Sequence, residues 1–159
     1  MATLQPGGPA PEFKLPDLAG QPHTLAELRA KGPVLVAFFK VGCPTCQYTF
    51  PFLQRLRELA PESKLAMVGI SQDDRAKTEA FNAQFGVRFP VLVDPSDSYA
   101  ASNAYGLTHV PSLFLVEPDG RTSLTSVGFV KVDLEELARR FASAELFHPD
   151  EQIQAFRAG

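Results

Sequence analysis

Apolar residues run unbroken through Val34-Leu-Val-Ala-Phe-Phe39, and then the pattern changes period. After a short polar turn, Phe50, Leu53, Leu56 and Ala60 recur at helical spacing, so a strand hands over to a helix at Cys46. A second apolar run, residues 65–70, predicts another buried strand, and continuous runs of this kind suit a parallel sheet covered on both faces. Residues 90–94 read as a short strand entered at a proline. Between these two strands, Asp73 or Asp74 can cap a helix that turns Ala76, Ala80, Phe81, Ala83 and Phe85 inward and stops at Gly86. A weaker helix is expected over residues 95–105, ended by Gly106.

The flanks follow the same logic. Residues 7–33 are rich in Pro and Gly, with apolar beats at Phe13, Leu15, Leu18 and Leu25. They predict a β-hairpin and then a helical turn over 24–30, where Thr24 and Glu27 have capping-box spacing. Residues 108–117 read as a strand entered through Pro111, and Pro118-Asp-Gly120 supplies a tight turn, so 112–117 and 122–127 pair as an antiparallel hairpin. Asp133 and Glu136 repeat the capping-box spacing and open a helix bearing Leu134, Leu137, Ala138 and Phe141. Residues 145–159 hold Phe147, Ile153 and Phe156 around His148-Pro-Asp150, enough for a short packed helix. This extension reads as a cover, a partner contact or simply a packed end of the chain.

The element order is β-β, then β-α-β-α-β-α, then a β-hairpin and a final α. It predicts an α/β fold, a mixed sheet sandwiched by helices. The 159 residues suffice for one domain with a real core, 1–159, with 145–159 as a short extension.

Composition agrees with a globular chain, 45% apolar and 21% charged, and a net charge of −3 argues against a face built for nucleic acid or anionic lipid. No stretch is apolar enough to span a bilayer. The amino end has neither the basic start nor the apolar core of a secretory signal, which points to the cytoplasm. A sequence that begins after a removed leader or anchor would instead belong to a periplasmic or membrane-anchored protein.

Only two cysteines are present, Cys43 and Cys46, so no disulfide scaffold accounts for them. In a reducing compartment such a pair reads as redox-active or metal-binding, against the alternative of two ordinary buried small residues. Their place at a helix start favours the first reading: the unpaired amides and partial positive charge there favour a thiolate. Cys43 is best placed to be the nucleophile, and Cys46, one turn deeper, to resolve a mixed disulfide. Pro44 suits the first helical turn, and Thr45 is a small spacer between the sulfurs. Pro51 removes the N–H that would bond the Gln47 carbonyl, so a kink is expected just past the cysteines.

With these elements in place the chain resembles the thioredoxin superfamily. It resembles more closely the superfamily's redoxin branch of thiol-disulfide oxidoreductases similar to TlpA, related to the AhpC/TSA group. Four stretches carry the likeness: Ala10-Pro-Glu-Phe13 through Leu28, the cysteine pair with Phe50-Pro51 behind it, Gly86-Val-Arg-Phe-Pro-Val-Leu-Val-Asp94, and Val110-Pro-Ser-Leu-Phe-Leu-Val-Glu-Pro-Asp-Gly120. The resemblance implies a thioredoxin-like three-layer α/β/α sandwich with a central mixed sheet, an N-terminal hairpin and an inserted helix and strand around 86–94. It implies that Pro111 is a cis proline facing the pair and that Val110 offers backbone groups to an extended substrate, beside Gly42, Pro44 and Thr45.

Departures from the resemblance matter as well. Gly42 stands where relatives often place Trp, leaving a more open rim around Cys43. Both positions that hold an acid in relatives, Ala37 and Thr49, are neutral here, so the acceptor for the Cys46 proton is unassigned. Lys40 and His109 are further neighbours that can bias a thiolate; Lys40 reads first as a solvated surface charge and His109 as an ordinary loop residue.

Three functions compete. The first is a thiol-disulfide oxidoreductase acting on a protein or small-molecule disulfide, needing no metal or organic cofactor, served by an unidentified redox partner, working as a monomer and contributing to cell redox homeostasis. The second is a thiol peroxidase of peroxiredoxin type. That group resembles Pro-x-x-x-Thr-x-x-Cys ending at Cys46, but Phe39 and Cys43 replace its proline and threonine. The third is a copper carrier using Cys43, Cys46 and His109.

Overall fold

A computed structural model describes residues 3–159. Of the segment read for a leader, Met1 and Ala2 lie outside the described residues. The chain opens with a hairpin of β1 (Lys14–Pro16) and β2 (Pro22–Thr24), in which Leu15 pairs with His23. Helix α1 (Leu25–Arg29) follows, with the Thr24 hydroxyl accepting from the Glu27 amide as its spacing predicts.

Strand β3 (Val34–Phe39) is buried at all six positions and leads into α2 (Pro44–Leu59). Next come β4 (Ala66–Ser71), α3 (Arg75–Phe85), β5 (Val91–Val93) and the single turn α4 (Ala100–Ala104). The chain closes with the hairpin β6 (Ser112–Val116) and β7 (Thr122–Val127), then β8 (Phe129–Val130), α5 (Lys131–Phe141) and β9 (Phe156–Arg157).

The central sheet runs β5-β4-β3-β6-β7. Strands β3, β4 and β5 are parallel, and β6 and β7 are antiparallel to their neighbours, which makes the sheet mixed. Because side chains alternate along a strand, β3 feeds both faces. Leu35, Ala37 and Phe39 join the cluster under α2, α3 and α5, while Val34, Val36 and Phe38 join Leu15, Leu25, Ala101 and Tyr105 on the other side. Three layers result, with β3 at the centre.

On the first face aromatic rings fill the gap behind the cysteines. Phe50 lies 4.3 Å from Phe39, 5.6 Å from Phe81 and 6.0 Å from Phe89, centroid to centroid, and is fully buried. Offset and edge-on contacts of this kind add to the burial of the rings themselves. They hold α2, and therefore its first turn, at a fixed distance from the sheet.

Several details differ from the sequence reading. Helix α2 starts at Pro44, which suits a first turn, two residues before the helical spacing sets in at Cys46, and continues through Pro51 to Leu59. In α3 the buried residues are Thr78 and Phe81, with Phe85 partly covered; Ala76, Ala80 and Ala83 face solvent. Alanine is favourable anywhere in a helix, so it does not mark a face. Residues 95–99 are turns, and α4 begins only at Ala100, because the buried Asp94 carboxylate accepts from the amides of Ala101 and Ser102 there.

Helix α5 starts before the expected Asp133 cap: Val130 leads in directly from β8 without a side-chain cap, and the Lys131 amide bonds the Ala155 carbonyl. Residues 145–159 form no helix. Pro149 and the wide spacing of their apolar residues break any helix; bends and a turn at Pro149–Asp150 carry the chain to β9, which pairs with β8.

Candidate active site

Cys43 is the N-cap of α2, in extended conformation, and its sulfur accepts the amide of Cys46 at 3.3 Å. It does so because the first amides of a helix lack intrahelical partners, and Pro44 at the next position contributes no amide that would need one. The Cys43 thiol also donates to the carbonyl of Val110 at 3.4 Å. The Val110–Pro111 bond is cis, as the resemblance implied, and Val110 lies against the cysteine turn.

The two thiols are free and unequal. Cys43 is partly exposed, whereas Cys46 is fully buried. Burial first, and then the neighbouring Cys43 thiol, push the Cys46 thiol far above its ordinary range, against a smaller opposite pull from the Lys40 backbone. Only Cys43 faces a reagent from solvent.

The turn before the helix is held by a carboxylate that sequence reasoning considered only as a cap. Asp74 caps α3, accepting from the Lys77 amide, while Asp73 accepts the Val41 amide at 2.8 Å. The signal lay in sheet register: β3 and β4 are parallel with Phe39 opposite Ser71, so residues two beyond each strand end meet. Gln47 completes the clasp by donating to the Val41 carbonyl at 2.9 Å. The charge of Asp73 also opposes ionisation of Cys46.

The remaining residues singled out from sequence distribute as follows. Gly42 and Pro44 are exposed on the rim, and Thr45 is buried. Ala37 and Thr49 are buried beneath the cysteines, and the Thr49 hydroxyl is spent on the Thr45 carbonyl at 2.7 Å. Lys40 and His109 are exposed, His109 bonded to the Thr108 hydroxyl. Among the described residues no three His, Cys, Asp or Glu side chains converge to hold a metal, so His109 does not complete a set with the cysteines. Also among the described residues, no helix is long and apolar enough to cross a membrane.

The segment expected to be a short helix reaches the site instead. The Thr45 hydroxyl donates to the Ala158 carbonyl at 2.6 Å, the Arg157 guanidinium lies 4.6 Å from the Tyr48 ring centroid, and Gly159 abuts the Val110 carbonyl. Local pattern does not mark Tyr48, and it marks this segment only as a cover, a partner contact or a packed end of the chain.

Residues 6–123 match the model of the AhpC/TSA family. The chain belongs to the AhpC/TSA family. Among the curated relatives of this AhpC/TSA member, the thiol-disulfide oxidoreductase ResA of Geobacillus thermodenitrificans is 29% identical over 132 residues, covering 82% of this chain and 74% of its own. ResA of Bacillus anthracis is 28% identical over 126 residues, covering 79% and 71%. The thioredoxin domain of a thiol-disulfide oxidoreductase from Bacteroides vulgatus superposes with a TM-score of 0.78 at 22% identity, covering 89% of this chain and all of that domain, which establishes the thioredoxin-like fold.

Proposed function

We propose that this AhpC/TSA member is a thiol-disulfide oxidoreductase in which Cys43 attacks and Cys46 resolves. The observation that carries the reading is the pairing of a half-exposed Cys43 sulfur, held by the Cys46 amide at the start of α2, with a Cys46 thiol sealed behind it. The ResA relatives agree in kind of chemistry.

The Cys43 thiolate attacks one sulfur of a client disulfide. A bond forms between Cys43 and that sulfur, the client S–S bond breaks, and the departing client thiolate takes up a proton. Cys46 then gives up its proton and attacks the Cys43 sulfur, releasing the second client thiolate. The pair ends as a Cys43–Cys46 disulfide, oxidised by two electrons, and the client is reduced by two.

Each neighbour has a task in this sequence. The Cys46 amide stabilises negative charge on Cys43 in the thiolate and whenever Cys43 is the leaving sulfur. Gly42 and Pro44 leave the rim open, and Val110 offers its carbonyl where the client backbone arrives. A peroxidase gains no support, since the position of the peroxidase threonine is taken by Cys43 itself.

The test is trapping. Cys46→Ser incubated with a peptide disulfide accumulates one covalent adduct on Cys43, whereas Cys43→Ser forms none. Adducts of equal yield on both variants, read by intact-mass spectrometry, would overturn the assignment.

A further inference from the structure

The groove beside Cys43 is occupied by the chain itself. Strand β9 runs antiparallel to β8, with Phe129 opposite Arg157 and Val130 opposite Phe156. Around it the Lys131 amide donates to the Ala155 carbonyl at 3.0 Å, and the Gly128 amide, one residue before β8, to the Pro111 carbonyl at 2.8 Å. Gly128 has a φ of +79°, and a side chain there would collide with the Arg157 carbonyl, so the close approach requires glycine. Past β9 the chain crosses α2 at Thr45 and brings Gly159 against Val110, the residue that receives the Cys43 thiol.

This segment is held unevenly. Residues 146–151 are clamped: Arg55 forms a two-pronged ion pair with Glu151 at 2.8 and 3.0 Å and bonds the Leu146 carbonyl, while Leu146 and Phe147 are buried. Residues 156–159 bury no apolar side chain, and Phe156 remains 59% exposed. Backbone pairing, the Thr45 bond and the Arg157 stack on Tyr48 are what hold them. A lightly bound stretch that follows a firmly tethered one is a high local concentration of a weak ligand.

We propose that residues 156–159 are a tethered occupant of the client groove, holding the place that an incoming polypeptide takes at Phe129–Val130, Thr45 and Val110. The inference rests on the oxidoreductase reading for the identity of the visitor. By the strap's own contacts the groove accepts an extended chain that adds a strand to β8, sets a cationic side chain over Tyr48, and brings small residues past Thr45 to Val110. A client keeps a glycine in the place of Gly159, where a side chain would collide with the Val110 carbonyl, and presents its cysteine one residue further along. A polypeptide disulfide must therefore displace the strap, while a small disulfide reaches the half-exposed Cys43 without doing so.

The experiment compares the full chain with one ending at Ala155, using two disulfides and one non-reacting peptide. The peptide disulfide is the dimer of Gln-Ala-Phe-Arg-Ala-Gly-Cys, the small one is hydroxyethyl disulfide, and the binding probe is fluorescein-labelled Gln-Ala-Phe-Arg-Ala-Gly. Removing the strap is expected to speed exchange with the peptide disulfide by about tenfold or more and with hydroxyethyl disulfide by less than about twofold.

The labelled peptide is expected to bind the shortened chain and not the full one, and to lose affinity when its Arg is replaced by Ala. Equal rates for the two chains with the peptide disulfide, or no binding of the labelled peptide to the shortened chain, would overturn the proposal. If the shortened chain lacks the native circular dichroism spectrum, Arg157→Ala in the full chain makes the same comparison, and an unchanged peptide-disulfide rate there overturns it. Failure of both chains with hydroxyethyl disulfide would sink the oxidoreductase reading instead; peptide binding, which involves no chemistry, then decides the strap alone.

Discussion

The Cys43 thiol and the Val110 carbonyl meet at 3.4 Å although 67 positions separate them in the chain. Strand β6 is antiparallel to β3 with Ser112 opposite Phe38, so the residues leading into β6 lie beside those leaving β3. That single register delivers the loop before β6 to the start of α2.

One thiol, not two, should react with a small alkylating agent under native conditions. Cys43 is partly exposed and Cys46 fully buried, so iodoacetamide at neutral pH adds one label, on Cys43, and the second only after unfolding. Peptide mapping by mass spectrometry checks the site; native labelling of Cys46 ahead of Cys43 would contradict the geometry.

Asp73→Asn keeps an acceptor for the Val41 amide and removes a charge that opposes Cys46 ionisation. The expected result is a Cys46 thiol that ionises at lower pH than in the parent, so the pH profile of the resolving step shifts to lower pH while the fold is retained. Thr49→Glu makes the complementary change, placing a proton acceptor in a fully buried position one turn from Cys46. It should speed resolution and cost stability by several kcal/mol, the usual penalty for a buried carboxylate. Stopped-flow kinetics and urea melts separate the two effects.

Phe50→Ala removes the ring that touches Phe39, Phe81 and Phe89 behind the cysteine turn. Truncating a fully buried Phe costs about 3–5 kcal/mol, and because α2 is seated on this ring the exchange rate should fall as well. Urea unfolding gives the first number and peptide-disulfide kinetics the second.

Acid should loosen the anchor of the strap. The Arg55 guanidinium, with help from the His148 backbone, lowers the Glu151 carboxyl from the ordinary 4.5 to about 2. A depressed folded value means that the clamp contributes fully above about pH 4.5 and is lost as the pH falls toward 2. Hydrogen-exchange protection factors across residues 146–159, taken relative to intrinsic rates at each pH, should therefore fall over that window, and Glu151→Gln should show the lowered protection already at pH 7.

Much of the fold was legible because burial is written locally. The unbroken run of β3, the helical spacing of Phe50, Leu53 and Leu56, and the turn at Pro118-Asp-Gly120 each state which side of an element meets the core. The pattern failed where residues are ambiguous about burial. The alanines of α3 face outward, and the buried carboxylate of Asp94 delays α4 in a way that no spacing announces.

The sequence alone determined a strand, a cysteine turn and a helix in that order, since period and proline placement are properties of neighbouring residues. Only the tertiary structure decided what surrounds that turn. Asp73 reaches Val41 through the register of β3 with β4, Val110 reaches Cys43 through that of β3 with β6, and Ala158 reaches Thr45 across 113 positions. Contacts at such separations arise from how strands align and how a clamped segment is aimed, and neither leaves a periodic trace in the chain.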